Sequence, residues 1–236
     1  LCPGCPHRGL FYVLNKLKVS VSGDIGCYTL GAAAPLSAMD TTIDMGASIS
    51  MLHGRIKARP ECAKTTVAVI GDSTFIHSGL TGLINITYNN SPATVIIADN
   101  SITGMTGHQP NPATGVTIKN QQTNAVDLEE AVRACGVRRV RVVDPYDTEA
   151  LEQVLREELA AEEPSVVISR RPCALLKNVK RGKPLTIDAD KCRRCRMCMR
   201  IGCPAISFES GHAAIDASLC VGCGLCKSLC KFDCIG

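Results

Sequence analysis

Fifteen cysteines in a chain of 236 residues are the feature whose chemistry most needs explaining. Nine of them fall within 192–236, and the first 191 residues hold only six. Cys192, Cys195 and Cys198 are spaced C-x2-C-x2-C, with Cys203-Pro204 after four intervening residues. Cys220, Cys223 and Cys226 repeat that spacing 28 residues later, with Cys230 after three intervening residues. Thiolates are soft ligands, and three from one tight loop can hold three corners of an iron–sulfur cubane. Structural zinc needs only paired C-x2-C units, so the third in-phase cysteine of each run favours iron–sulfur over zinc. Disulfide scaffolds are small and stapled throughout; the uneven placement here points instead to a metallocluster module in a reducing compartment.

A second constellation is built from oxygen. Gly71-Asp72-Ser73 follows the apolar run 65–70, and Asp99-Asn100 ends the run 93–98. An aspartate and an asparagine at the carboxyl ends of parallel strands offer hard ligands to Mg2+, and a following helix start aims its NH groups at phosphate. A lone Gly-Asp-Ser often merely caps a helix. Asn100, separated from Ser73 by 26 residues, is the second element that gives the pattern weight. Near the start, the turn Cys2-Pro3-Gly4-Cys5 presents two thiols to one centre beside His7. The Gly-, Pro- and Thr-rich segment 103–115 reads as an active-site loop, with His108 as a substrate-side candidate. His53 reads as a packed helix residue, and His77 as either a diphosphate neighbour or a polar helix start.

The elements that must position these groups follow from hydrophobic pattern. Runs 65–70 and 93–98 are β-branched and apolar, as buried parallel strands are, and 76–89 between them suits a crossover helix. Helices are expected over 127–135 and 147–160, and strands over 139–143 and 165–169. The alternation predicts an α/β fold, a mostly parallel sheet with helices on both faces. The basic, Gly/Pro-punctuated segment 177–186 reads as a linker between a domain at 1–176 and a cysteine module at 187–236.

Composition narrows the classes. A net charge of +4 is too mild to argue for nucleic acid, and no apolar run approaches the length of a bilayer span. Pro3, Pro6, His7 and Arg8 break any signal-peptide core, so a cytoplasmic protein is expected. The chain begins with Leu1 instead of Met, as a piece of a longer protein would.

Taken together, these motifs resemble known families. The C-terminal repeat resembles the bacterial two-cluster ferredoxins, an α+β module holding two 4Fe–4S clusters. In that layout the fourth cysteine of each run ligates the other cluster. The resemblance implies Cys192, Cys195, Cys198 and Cys230 for one cluster, and Cys203, Cys220, Cys223 and Cys226 for the second. The extra residue before Cys203, and Lys231 where the usual proline would stand, remove no ligand. Gly-Asp-Ser followed by Asn100 resembles the thiamine-diphosphate signature. That implies Mg2+ held by Asp72, Asn100 and the Ile102 carbonyl, with Ser73, Thr74, Gly104 and Met105 along the diphosphate.

Cys2-Pro3-Gly4-Cys5 with His7, then Ile25-Gly26-Cys27 and Asp44-Met45-Gly46-Ala47-Ser48, resemble the 2-oxoacid:ferredoxin oxidoreductases, and most of all the indolepyruvate-type alpha subunits. The resemblance implies that Ile25, Gly26, Cys27, Gly46 and Ala47 also meet the cofactor, and that His7 approaches cofactor or substrate. It further implies a third 4Fe–4S cluster near the thiazolium, on Cys2, Cys5, Cys27 and Cys173. Cys62, Cys135 and Cys234 are then left as structural thiols. The implied reaction is oxidative decarboxylation of aryl 2-oxoacids such as indolepyruvate to acyl-CoA and CO2, with electrons passing through clusters to external ferredoxin. The implied partners are coenzyme A, a beta-type subunit and a pyrimidine-binding region, in the cytoplasm of an anaerobe. A non-oxidative thiamine-dependent decarboxylase and a cofactor-free electron-transfer subunit are the alternatives. The basic stretch Lys191–Arg200 reads as a rim around a cluster, stabilising it or meeting an acidic redox partner.

Overall fold

The structure is a computed structural model that describes residues 1–209 and 211–236. A six-stranded sheet runs in the order β2-β1-β3-β4-β6-β5, with every neighbouring pair parallel. Its central strands β3 (Thr66–Gly71), β4 (Thr94–Asp99) and β6 (Ser165–Arg170) are almost wholly buried, as near-continuous apolar runs must be when helices cover both faces. β5 (Arg139–Val143) forms one edge, where Arg141 faces out and discourages further pairing. Strands β1 (Ser20–Gly23) and β2 (Thr41–Thr42), which hydrophobic pattern did not announce, complete the other side.

The side-chain alternation of these strands divides the core in two. Ala68, Ile70, Val95, Ile97, Val166 and Ile168 face α2 (Ala47–Ala58), α4 (Leu80–Tyr88) and α5 (Leu128–Ala134). Val67, Val69, Ile96, Ala98 and Val167 face α1 (His7–Leu17) and α6 (Thr148–Leu159). The expected crossover helix begins earlier than the sequence suggested. A short α3 (Asp72–Thr74), a π turn at Phe75–Gly79 and α4 are continuous, so the helix starts on Asp72 itself. Such π turns often accompany functional sites.

The C-terminal segment adds the hairpin of β7 (Ile206–Glu209) and β8 (His212–Ile215), a 3-10 turn at Met197–Ile201 and α7 (Leu225–Ser228). Ile201, Ile206, Leu225, Leu229 and Ile235 join the same apolar cluster as Leu10, Phe11 and Leu14 of α1. The cysteine-rich segment is therefore packed onto the α1/α6 face of the sheet. Among the described residues, no helix is long and apolar enough to cross a membrane.

Candidate active site

Because the sheet is parallel, the carboxyl ends of β1, β3, β4 and β6 open along one edge, and each delivers a polar segment there. One cavity at that edge is lined by Ile25, Gly26 and Cys27 after β1, by Asp72, Ser73 and Thr74 after β3, and by Asn100, Ile102, Gly104 and Met105 after β4. Tyr28, Met45, Gly71, Ala98, Thr103 and Thr106 complete the wall. Gly46 and Ala47 stand just outside it at the start of α2.

Asp72 is 3% exposed. Burial pushes its carboxyl up to about 6, against the opposing effect of the Asn111 amide, which donates to Oδ2 at 3.0 Å. Among the described residues, no basic side chain forms an ion pair with it. A buried carboxylate without a protein cation, beside the Asn100 amide and the Ile102 segment, is a donor set that fits a hard divalent ion. The turn that carries it is tight. A Cβ added at Gly71 would lie 2.7 Å from the Tyr28 ring, and one at Gly26 2.5 Å from the same ring. One aromatic side chain thus sets the spacing between the β1 and β3 turns.

His7 is buried behind the cavity wall, its Nε2 3.4 Å from Asn100 Nδ2 and its ring edge-on to Tyr28 at 5.8 Å. Burial lowers its pKa to about 4, so at neutral pH it is an uncharged neighbour of Asn100. His108 lies elsewhere, exposed in the loop with φ 62° and outside the cavity lining. His77 is exposed, with Nδ1 2.5 Å from Ser78 Oγ. Sequence reasoning did not single out Asp24, Tyr28 or Asn111. Asp24 is fully buried and accepts from the backbone NH groups of Ile25 (2.8 Å) and Gly46 (2.8 Å) and from Ser48 Oγ (2.9 Å). It ties the β1 turn to the start of α2 through the Gly46 NH. Its place immediately before Ile25-Gly26-Cys27 was its only sequence signal.

The thiols gather in three groups. Cys203, Cys220, Cys223 and Cys226 line one cavity together with Pro3, Gly4 and Arg8. Burial, then the charges of Cys223, Cys203 and Cys220, push Cys226 up to about 12. Cys192, Cys195, Cys198 and Cys230 line another, and Cys198 is raised by burial and by its three companions. Cys234, expected to be structural, lines this second cavity too, its sulfur 3.3 Å from that of Cys230. In the third group, Cys5 is pushed up to about 12 by burial and feels Cys2 and Cys173, while Cys27 feels Cys173 and Cys2. Cys27 also lines the Asp72 cavity, and a Cβ at Gly104 would lie 3.2 Å from its sulfur. Among the described residues, no three His, Cys, Asp or Glu side chains are drawn together as around a single metal ion. The thiols of the first two groups line cavities, as ligands of a polynuclear cluster do.

Comparison with known proteins agrees with this division. Residues 24–169 match the family model described as thiamine pyrophosphate enzyme, C-terminal TPP binding domain, and residues 213–236 match the 4Fe-4S binding domain. The chain is 43% identical over 240 residues to the indolepyruvate oxidoreductase subunit IorA of Archaeoglobus fulgidus, covering 98% of this chain and 38% of that protein. It is 42% identical over 256 residues to the subunit of the same name from Thermococcus kodakarensis, covering 99% of this chain and 39% of that one. The chain thus spans about two-fifths of the length of these relatives. Among solved structures, its fold is like that of the 2-oxoglutarate:ferredoxin oxidoreductase from Magnetococcus marinus, with a TM-score of 0.63 and 18% identity over 76% of this chain and 66% of that one. The fold is also shared with a thiamine diphosphate-dependent 4-hydroxybenzoylformate decarboxylase of Rhodococcus jostii, at a TM-score of 0.54 and 18% identity, over 71% of this chain and 32% of that one. On these grounds the chain belongs to the thiamine pyrophosphate enzymes, of which it carries the C-terminal TPP-binding domain, joined to a 4Fe–4S binding domain.

Proposed function

We propose that this chain supplies the diphosphate site and the electron path of a 2-oxoacid:ferredoxin oxidoreductase acting on aryl 2-oxoacids such as indolepyruvate. The products are acyl-CoA and CO2, and the electrons leave singly to ferredoxin. The observation that carries the reading is the double position of Cys27, in the wall of the Asp72 cavity and within electrostatic reach of Cys2 and Cys173. A decarboxylase that keeps its electrons in the product has no use for a thiol cluster against its cofactor. A bare electron carrier has no use for a buried acid that awaits a cation.

In this reading Asp72, the Asn100 side chain and the Ile102 carbonyl hold Mg2+, while Ser73, Thr74, Gly104 and Met105 flank the diphosphate. Thiamine diphosphate, when bound, supplies the electron sink that decarboxylation of a 2-oxoacid requires. His7 stays neutral and orients Asn100, Asp24 fixes the β1 turn, and Tyr28 sets the width of the cleft. Cys2, Cys5, Cys27 and Cys173 hold a proximal 4Fe–4S cluster, Cys203, Cys220, Cys223 and Cys226 a second, and Cys192, Cys195, Cys198 and Cys230 a third. A pyrimidine-binding region, on the same or a separate chain, and a separate beta-type subunit complete the enzyme.

The test is anaerobic turnover with those regions supplied. Reduction of ferredoxin that requires indolepyruvate, coenzyme A, Mg2+ and thiamine diphosphate supports the reading. Release of CO2 with an aldehyde and no reduced carrier would establish the non-oxidative alternative. Absence of Mg2+-dependent thiamine diphosphate binding would leave only an electron carrier.

A further inference from the structure

Among the described residues, Arg8 is a buried charge that no carboxylate pairs. It is 3% exposed, and its guanidinium donates only to carbonyls: Nε to Cys2 at 2.9 Å, Nη1 to Ile201 at 3.2 Å and to Gly202, and Nη2 to Leu1. A buried cation is tolerated only when an anion offsets its desolvation, and backbone carbonyls supply dipoles but no net charge. Burial pulls the Arg8 pKa down, and the charges that hold it up are the sulfurs of Cys203, Cys5, Cys2 and Cys223. These belong to two of the three thiol groups.

The position explains the selection. Through Cys2 the fork grips the turn of the first thiol group, and through Gly202 it grips the residue before Cys203. The side chain also lines the cavity of Cys203, Cys220, Cys223 and Cys226. A thiolate-ligated 4Fe–4S centre carries net negative charge, and that charge grows by one when the centre accepts an electron. Arginine stays protonated, so it can offset the added charge at once, with no proton moving.

We propose that Arg8 is the shared counter-charge of two adjacent iron–sulfur centres, the one on Cys2, Cys5, Cys27 and Cys173 and the one on Cys203, Cys220, Cys223 and Cys226, and that it holds the reduction potentials of both up together. The inference rests on the cluster assignment above. It makes Arg8 a tuning and positioning residue: it touches no substrate, and each electron passing between the two centres stays in its field.

The test is an EPR-monitored redox titration of the anaerobic protein, native and with Arg8→Gln or Arg8→Lys. Iron and sulfide in the native protein come first, because a missing Cys2 centre there sinks the cluster assignment before any variant is made. With the native centres present, Arg8→Gln should lower the potentials of the two centres bordering position 8 and leave the Cys192 centre unmoved. Where Arg8→Gln fails to assemble its centres, Arg8→Lys decides. A lysine keeps the charge but cannot reach both the Leu1/Cys2 and the Ile201/Gly202 carbonyls, so the two potentials should move apart. Unchanged potentials, or an equal shift of all three centres, would overturn the proposal.

Discussion

Val221 packs onto Gly4 so closely that a methyl group at position 4 would lie 2.3 Å from Val221 Cγ2. The contact joins the Cys2–Cys5 turn to the second cysteine run. The Tyr146 hydroxyl reinforces it by donating to the Gly4 carbonyl. The Cys2–Cys5 turn and the second cysteine run, far apart in sequence, therefore share one wall.

The junction should be intolerant of Gly4→Ala. Gly4 has φ 65°, so alanine adds a left-handed penalty of about 1–2 kcal/mol to the clash with Val221. A lowered thermal midpoint with slower reduction of the distal centres is expected. Native-like melting and native electron transfer would show that the wall yields.

Asp72 should make stability depend on pH in a defined direction. Its carboxyl sits at about 6 in the fold, against an ordinary 3.8, so the fold prefers the protonated acid. That stability is fully present below about 4 and is lost as pH rises through about 6, on the order of 2–3 kcal/mol. Asp72→Asn should therefore raise the melting temperature of the cofactor-free protein at pH 7.5 far more than at pH 5. The same variant should lose the stabilisation that Mg2+ and thiamine diphosphate give the native protein. Thermal melts at both pH values, with and without ligand, check both halves.

The two cysteine runs place residues of left-handed conformation at matching positions. The second run uses Gly222 (φ 67°) and Gly224 (φ 84°), where the first uses Arg194 (φ 57°) and Arg196 (φ 58°). Arg196 is further engaged over the Phe208 ring at 4.1 Å, so Arg194 is the cleaner position to change. Arg194→Gly should stabilise the module by about 1 kcal/mol through relief of strain. If the exposed arginines meet an acidic carrier, the same change should slow its reduction several-fold at low salt and not at high salt. Stopped-flow reduction at two ionic strengths reads the outcome; a rate independent of both residue and salt would refute a docking role.

Cys173 should be required for the proximal centre. Its backbone NH donates to the Asn100 carbonyl at 2.9 Å, so the segment after β6 brings this residue beside the end of β4. Cys173→Ala should remove about four iron atoms per chain. Cys62→Ala, away from all three groups, should remove none.

Strands β3 to β6 were legible because each is a β-branched apolar run whose burial can be read locally. β1, Ser-Val-Ser-Gly, and β2, Thr-Thr, carry no such pattern, and their strand character comes from pairing to neighbours. The residues proposed for metal and diphosphate could be picked out because they sit at strand ends with a telling interval, and Asp72, Ser73, Thr74, Asn100, Ile102, Gly104 and Met105 line one cavity. Asn111 and Arg8 were not, since their roles depend on partners 39 and 194 residues away. His108 shows the opposite limit: its loop could be read from composition, but the direction of the side chain could not.

Iron and acid-labile sulfide per chain, measured on anaerobically purified protein with EPR after dithionite, test the central claim most directly. The account expects about twelve of each, with signals from interacting 4Fe–4S centres. About eight would remove the proximal centre and with it the link between cofactor cavity and relay, and zinc without sulfide would contradict the electron path altogether.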